Sequence, residues 1–149
     1  MQFNQPMFVL QRRVNEPLDA VERVLCDPTL LRAGSTHALG GGLWLRLERP
    51  FGVAFPPFGV DFASWSAPAV VYAGRSRRTV KFDIEVNAWD SRSTELLVRP
   101  RTRSPYRWSG RRMRRYFEVA HTTADGVMQL LRTHAATHTA PTRLATVMR

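Results

Sequence analysis

Cysteine is nearly absent from this chain. Its 149 residues include one cysteine, Cys26, so no disulfide can form within the chain. A reducing, cytoplasmic location is therefore expected. Cys26 follows the apolar residues Val24 and Leu25, a context that predicts a buried, inert thiol rather than a reactive one.

Long apolar runs and a basic leader are also missing. No apolar run approaches the roughly 18 residues that a membrane-spanning helix needs. The first residues, MQFNQPMFVLQRR, lack the basic segment and the long apolar run of a secretory signal. These absences predict a soluble protein that stays in the cytoplasm.

Familiar catalytic motifs are absent as well. The chain contains no GxSxG, no P-loop, no glycine-rich dinucleotide turn and no defensible Cys–His pair. His134 and His138 have the spacing of paired metal ligands on a helix, but the glutamate of a zinc-protease helix and a third ligand are missing. The sequence therefore predicts neither a metal site nor a cofactor.

Acidic residues are few relative to basic ones. The chain has 22 Lys+Arg against 12 Asp+Glu, a formal net charge of +10. This excess favours an anionic partner such as nucleic acid, anionic lipid or an acidic protein. Arginine outnumbers lysine by 21 to 1, which is also typical of a GC-rich coding sequence. The charge therefore raises the expectation of an anionic partner only modestly.

Length and composition indicate one globular domain. The chain is 44% hydrophobic and 23% charged, ordinary values for a globular protein, and no linker or repeat divides it. We assign residues 1–138 to this domain. Residues 139–149, rich in Thr, Ala and Arg, are predicted to form a flexible C-terminal tail.

Apolar spacing predicts short elements before residue 100. A strand is expected over residues 6–14, followed by a helix that ends near Asp27, because Pro28 follows. A second short helix is expected over residues 28–33, with Gly34 as its stop. Alternating apolar residues then predict strands over residues 43–48, 58–65, 69–73, 79–88 and 94–99.

The longest helical pattern comes last. Residues 110–138 carry apolar side chains in steps of three or four, at Met113, Phe117, Ala120, Ala124, Val127 and Leu131. The strand over residues 79–88 has one apolar and one polar face, which indicates an antiparallel sheet covered on one side only. The predicted fold is α+β: a curved antiparallel sheet of about seven strands wrapped around the long C-terminal helix, with two short helices after the first strand.

Three segments resemble the SRPBCC superfamily, also called START-like or polyketide cyclase/dehydrase domains. VNEPLDAVERVLCDPTLL is similar to its strand-to-helix entry, VKFDIEVNAWDSRSTELLVRPRTR to its late strands, and RRMRRYFEVAHTTADGVMQLLRTH to its C-terminal helix. The likeness spans residues 6–138 and is one of pattern and element order. It implies a helix-grip fold, in which sheet and helix enclose an apolar pocket. Family members bind lipids, sterols, polyketides or plant hormones, and some are cyclases or aromatases.

A pocket between sheet and helix is the first candidate site. Its predicted ligand-binding residues are Leu45, Phe62, Trp65, Phe82, Ile84, Met113, Phe117, His121 and Met128. A neutral His121 beside the apolar helix face is suited to hydrogen-bond a ligand or to act as an acid/base. The alternatives are a solid core made of the same residues and a purely structural histidine, because residue types alone do not separate a core from a pocket lining.

Arginines around the start of the long helix form the second candidate site. This arginine cluster consists of Arg99, Arg101, Arg103, Arg107, Arg111, Arg112, Arg114 and Arg115. Positive charge there opposes the helix dipole, and the interleaved Tyr106, Trp108 and Tyr116 are suited to stack on bases or to hold an anionic headgroup. The anion-binding candidates are Arg107, Arg111, Arg112 and Arg115. The alternative is a solvated rim that binds nothing.

Three functions are open on these observations. The favoured one is binding of a small hydrophobic or amphipathic ligand, lipid- or polyketide-like, in the cavity. The second is a cyclase or aromatase that acts on a polyketide-like substrate with His121 as acid/base. The third is a basic interaction module that binds nucleic acid or anionic membrane through the arginine cluster.

Overall fold

The computed structural model describes residues 9–54, 63–74, 79–101 and 110–147, with side chains in the last helix as far as Thr137. Within these ranges the α+β class predicted from the sequence is confirmed. The elements in chain order are β1 (Leu10–Val14), α1 (Leu18–Leu25), β2 (Thr36–Gly40), β3 (Leu43–Leu47), β4 (Gly52–Ala54), β5 (Ser64–Ala73), β6 (Thr79–Ala88), β7 (Thr94–Pro100) and α2 (Gly110–Val147).

The strands of the described ranges form one antiparallel sheet in the order β1-β7-β6-β5-β3-β2, and β4 pairs with the first part of β5. Both edge strands, β1 and β2, contact α2. The sheet is therefore curled into a half-barrel around one helix. The predicted curved antiparallel sheet and the long C-terminal helix are confirmed.

Alternating side chains divide the sheet into a dry and a wet face. In β6, Phe82 and Ile84 are 0% and 1% exposed, whereas Lys81 is exposed and Asp83 is half-buried on the other face. The cross-strand partners of the two buried residues, Ala69 in β5 and Val98 in β7, are buried as well. Burying an apolar side chain of this size stabilises the fold by roughly 1.5–3 kcal/mol.

One long strand, β5, replaces the two strands predicted over residues 58–65 and 69–73. It runs from Ser64 to Ala73 and contains Pro68. The carbonyl oxygen of Pro68 accepts a hydrogen bond from the Glu48 amide at 2.9 Å. In a β-strand, the nitrogen and the carbonyl oxygen of one residue point to the same side. The ring nitrogen of Pro68, which has no hydrogen to donate, therefore points to the segment between β3 and β4, where it interrupts no strand pairing. Residues 58–62 of the prediction lie outside the described ranges.

The second short helix predicted over residues 28–33 is not formed. A side-chain turn takes its place, in which Oδ1 of Asp27 accepts hydrogen bonds from the backbone amide and hydroxyl of Thr29 at 2.9 and 2.7 Å. Asp and Thr favour such turns because their side chains bond to nearby backbone groups that would otherwise form helical hydrogen bonds. Gly34 then donates its amide to the Leu47 carbonyl at 2.7 Å, which leads the chain directly into the sheet.

Small residues let α2 approach the sheet closely. The buried residues of α2, spaced in helical steps, are Tyr116, Ala120, Thr123, Ala124, Val127, Leu131 and Ala135. A Cβ atom at Gly126 would lie 2.7 Å from Cδ2 and 3.0 Å from Cα of Leu39 in β2. Contact at this distance leaves room for no side chain at position 126.

The predicted apolar face of α2 is corrected at its beginning. Phe117 is 41% exposed and Met113 is only half-buried, so the buried stripe begins at Tyr116. The prediction holds from Ala120 to Leu131. The helix also extends beyond the expected end at His138 and ends at Val147. Flexibility of residues 139–149 stays a prediction.

The exposure of Cys26 differs from the prediction. Cys26 is exposed at the C-terminal cap of α1. The inward face of α1 consists of Ala20, Val21, Val24 and Leu25, and the residue after Leu25 turns away from this face. Neither helix, over the ranges described, has the length and apolar character to cross a membrane.

Candidate ligand-binding cavity

A cavity lies between the first turns of α2 and one end of the curled sheet. Its volume is about 530 Å³, and its sheet wall comes from the start of β3, the end of β5 and the start of β6. The apolar lining consists of Leu43, Val71, Ala73, Val80 and Val119. Val119 is the contribution of α2, whereas the other four come from the strands.

Strand register explains why this wall is apolar. Leu43 pairs with Ala73 across β3 and β5, and Val71 pairs with Val80 across β5 and β6. Directly paired residues of antiparallel strands place their side chains on the same face of a sheet. All four side chains therefore project from the inner face towards α2.

Tyr116 closes the cavity at its inner side. It is 8% exposed, and its ring meets the edge of Phe82 at a centroid distance of 5.2 Å. The Tyr116 hydroxyl donates a hydrogen bond to the Lys81 carbonyl at 2.6 Å. Burial raises the pKa of this phenol above its ordinary value. The ring therefore serves as a neutral wall, with its proton engaged by the backbone of β6.

Three arginines of α2 line the cavity where it meets solvent. Arg111, Arg112 and Arg115 are exposed, and all three border the cavity. Arg111 and Arg115 are one helical turn apart, so their side chains extend over the same part of the helix surface. We call these three residues the arginine mouth. It contains three of the four anion-binding candidates, and the fourth, Arg107, lies outside the described ranges.

The rest of the arginine cluster is divided between other positions. Arg99 lies on the wet face of the sheet, where its Nε atom and Oε2 of Glu85 are 2.9 Å apart. Arg101 lies on the same face and donates from Nη2 to Oε1 of Glu48 at 2.7 Å. Arg114 is exposed and does not line the cavity. Arginines that are close together in the sequence therefore lie on different surfaces of the folded chain.

Arg101 links two carboxylates of opposite pKa behaviour. Its hydrogen bonds lower the pKa of Glu48. Burial raises the pKa of Asp83, against the lowering effect of the Arg101 charge, and the Nε atom of Arg101 lies 3.6 Å from Oδ1 of Asp83. Asp83 and Glu85 lie on the wet face, as the strand alternation predicts, and both interact with arginines there.

Three of the predicted ligand-binding residues are core residues. Leu45, Phe82 and Ile84 are 2%, 0% and 1% exposed, and none of them lines the cavity. They belong to the same buried hydrophobic cluster as Ala120, Ala124 and Val127 of α2. At these three positions the solid-core alternative applies, because the side chains are buried among other core residues.

Phe117 and His121 lie on another side of α2, facing the edge strand β1. Nη2 of Arg12 donates a hydrogen bond to Nδ1 of His121 at 2.8 Å, and Nε of Arg12 donates to Oδ1 of Asp125 at 2.9 Å. The Phe117 ring meets the His121 ring edge-on at a centroid distance of 4.4 Å. The predicted role of His121 as a polar group of the cavity is therefore corrected to a contact between α2 and β1.

The other predicted ligand-binding residues that the structure describes do not line the cavity either. Nε1 of Trp65 donates a hydrogen bond to Oε2 of Glu22 in α1 at 3.0 Å. Met113 and Met128 are half-buried, and Met128 packs against the core; neither lines the cavity. Phe62 lies outside the described ranges.

The predicted ligand-binding residues do not include the uncharged residues that line the cavity, although Arg111, Arg112 and Arg115 were predicted as anion-binding residues. On α2, Arg112, Arg115, Tyr116 and Val119 follow one another in steps of three, one and three, which places them on one helical face. Helical spacing indicates this face, but it is equally consistent with burial of the adjacent stripe of Met113, Phe117 and Ala120. Val71 and Val80 lie within the strands predicted over residues 69–73 and 79–88, but neither is among the predicted ligand-binding residues.

Among the side chains that the structure describes, no three His, Cys, Asp or Glu are grouped in a way that could hold a metal ion. His134 instead lies near His37 of β2, whose pKa is lowered by burial and then by the charge of His134. The side chain of His138 lies outside the described ranges.

Comparison with known proteins identifies no relative. No protein-family model, no curated protein and no solved structure matches the chain.

Proposed function

We propose that this chain binds a small hydrophobic or amphipathic molecule in the cavity between the sheet and α2. The observation that carries the proposal is a cavity of about 530 Å³ lined by five apolar residues together with Tyr72, Thr79, Tyr116 and three arginines. Ligand sites in proteins usually have volumes of about 300–1,000 Å³ and this mixture of residues. The curled sheet around one long helix also supports a helix-grip protein of the SRPBCC or START-like kind, which the sequence resembles.

The driving force would be burial of apolar ligand surface. Each 100 Å² removed from water contributes about 2.5 kcal/mol, whereas association costs at least about 4 kcal/mol in lost freedom of motion. A ligand must therefore bury a few hundred Å² before binding is favourable. This requirement favours molecules the size of a medium-chain lipid or a polyketide over very small metabolites.

Binding is favoured over catalysis by the lining residues. The described residues around the cavity include no His, Asp, Glu or Cys. The Tyr116 hydroxyl donates to the Lys81 carbonyl, and His121, the proposed acid/base of a cyclase or aromatase, contacts Arg12 on another side of α2. The enzymatic alternative therefore lacks a histidine or carboxylate acid/base in the part of the cavity that is described, where Tyr72 and Tyr116 carry the hydroxyl groups.

A cavity-filling substitution tests the proposal. The purified protein is titrated with 1-N-phenylnaphthylamine, an uncharged apolar fluorophore, and also examined by native mass spectrometry for a co-purified small molecule. Val119→Trp places a large ring in the cavity and is expected to lower probe affinity by about tenfold or more. Val53→Trp is the matched control, because Val53 is 42% exposed and does not line the cavity.

Two results would count against the proposal. One is a wild-type protein that fails to bind the probe and carries no small molecule. The other is equal probe affinity in wild type, Val119→Trp and Val53→Trp, with circular dichroism showing that all three are folded. Either result would mean that the cavity does not hold apolar molecules.

A further inference from the structure

We infer that the occupant of the cavity is an acidic amphiphile, with its hydrocarbon chain against the apolar wall and its anionic head on the arginine mouth. The inference rests on the proposed function and names the class of ligand. It does not depend on any catalytic step. It follows from how charge is distributed along the cavity.

The cavity is apolar at one side and cationic at the other. Four apolar residues of the sheet wall and Val119 provide hydrocarbon surface, Tyr72 and Thr79 add hydroxyl groups at the end of the sheet, and Arg111, Arg112 and Arg115 provide the charged groups. No carboxylate is found among the described lining residues. A neutral apolar ligand would leave the charges of Arg111 and Arg115 without a counter-ion, and a small hydrophilic anion would leave the apolar wall exposed to water.

Arg111 and Arg115 differ in carboxylate pairing from four arginines in or next to β1 and β7. Arg12, Arg13, Arg99 and Arg101 each lie within 4 Å of a carboxylate oxygen, at distances of 2.9, 3.0, 2.9 and 2.7 Å. Over the described ranges, Arg111 and Arg115 take part in no such ion pair. Their donors are therefore available to an anion from outside the chain.

The position of these two residues suits a single head group. Arg111 and Arg115 are neighbours on the helix surface, about 6 Å apart at Cβ, and guanidinium groups bind carboxylates or phosphates through two parallel hydrogen bonds. The site also lies near the positive end of the α2 dipole, where three added cations are unfavourable in the absence of an anion. A bound acid would remove this repulsion.

Arg114 provides a matched control for the arginine mouth. It belongs to the same helical turn and is exposed, but it does not line the cavity. A nucleic acid or an anionic bilayer would respond to the summed charge of this surface, including Arg114. An acidic amphiphile in the cavity responds to Arg111 and Arg115 and is indifferent to Arg114.

The test compares decanoate with decanol as competitors of 1-N-phenylnaphthylamine, both below the concentration at which decanoate forms micelles. The proteins are wild type, Arg111→Gln/Arg115→Gln and Arg114→Gln. We expect the double variant to lose about tenfold or more of its affinity for decanoate, because it loses charge-assisted hydrogen bonds. Its affinity for decanol should be unchanged, and Arg114→Gln should resemble wild type with both competitors.

Two outcomes would overturn the inference while leaving the proposed function intact. In the first, probe and decanol bind in a manner sensitive to Val119→Trp, but decanoate affinity is equal in wild type and the double variant. In the second, phosphatidylglycerol vesicles or single-stranded DNA bind the protein, and Arg114→Gln weakens that binding as much, per charge removed, as Arg111→Gln/Arg115→Gln does. The arginine mouth would then be part of a surface for a macromolecule. If neither the probe nor either competitor binds, the inference and the proposed function both fail.

Discussion

Arg12 determines which nitrogen of His121 carries the ring proton. Nη2 of Arg12 lies 2.8 Å from Nδ1 of His121, and a guanidinium group is only a donor. Nδ1 must therefore accept, which places the proton on Nε2. The same guanidinium bonds Asp125 through Nε at 2.9 Å, so one residue of the edge strand β1 binds two successive turns of α2.

Replacing Arg12 should allow the His121 ring to adopt both tautomers. In wild type we expect long-range ¹H–¹⁵N NMR spectra to show the Nε2–H form, and in Arg12→Met a mixture of both tautomers, because the donor to Nδ1 is gone. Arg13→Met is the control, since Arg13 pairs instead with Asp90 at 3.0 Å. An unchanged tautomer in Arg12→Met would show that another group determines it.

A methyl group at position 126 should destabilise the protein. Alanine in place of glycine gains about 1 kcal/mol in an ordinary helix, but a Cβ at Gly126 would lie 3.0 Å from the backbone Cα of Leu39. Overpacking of this kind typically costs 1–3 kcal/mol. We therefore expect the free energy of unfolding, measured in urea, to fall by about 1 kcal/mol in Gly126→Ala.

Gly110→Ala is the matched control for this experiment. Gly110 also belongs to α2, and a Cβ there would meet no atom within 4 Å among the described residues. Its stability should equal or slightly exceed that of wild type. If Gly126→Ala is as stable as Gly110→Ala, then α2 and β2 are not in close contact.

Acidification should weaken the contact between β2 and α2 at His37. Burial lowers the pKa of His37 below 6.5, the charge of His134 lowers it further, and a hydrogen bond with the Leu30 backbone partly offsets both. Since the folded chain favours the neutral imidazole, the unfolded chain binds more protons at mildly acidic pH. The free energy of unfolding should therefore fall as the pH drops through about 6.5, the ordinary value for histidine.

An NMR titration of the His37 ring resonances measures this effect directly. We expect a pKa below the ordinary histidine value in wild type, and a higher pKa in His134→Gln, which removes the nearby positive charge. Urea denaturation at pH 7.5 and 5.5 should show a smaller pH dependence in His37→Gln than in wild type. A His37 pKa that does not change in His134→Gln would contradict the proximity of the two rings.

Removing the Tyr116 hydroxyl should cost stability without removing the cavity wall. Tyr116→Phe loses the 2.6 Å hydrogen bond to the Lys81 carbonyl and keeps the ring. We expect a loss of about 0.5–1.5 kcal/mol in the free energy of unfolding. Tyr72→Phe is the control, because the Tyr72 hydroxyl makes no hydrogen bond within the part of the chain that is described, and it should change stability little. Equal losses in both variants would argue against the Tyr116 bond.

The late strands could be predicted from the sequence because their pattern is local. The strand expected over residues 79–88 is observed with those bounds as β6, and the return strand over residues 94–99 is longer by Pro100. Strict alternation is a property of neighbouring residues, and a strand has only two faces to which they can be assigned. By contrast, a helix was wrongly predicted over residues 28–33, where the chain forms a turn at Asp27. The spacing of apolar residues gives no information about side-chain acceptors that replace helical hydrogen bonds.

The cavity could not be located in this way. Along the start of α2, Met113 and Phe117 form one apolar stripe, while Tyr116 and Val119 form another about a quarter-turn away. Local spacing supports either stripe as the inward face. The choice depends on contacts with residues far away in sequence, such as Arg12 with His121 and Leu39 with Gly126.

The sequence by itself determined the α+β class, the inner and outer faces of the clearest strands and the presence of a long final helix, because each depends on short-range periodicity. Only the tertiary structure decided the rotation of that helix against the sheet. Small residues at Ala120, Ala124 and Gly126 bring α2 into solid contact with the sheet. Near its start, the same rotation places Val119 and the arginine mouth around an open space. The rotation of a helix about its axis is determined by packing against strands that are far away in the sequence, so a local sequence pattern does not predict it.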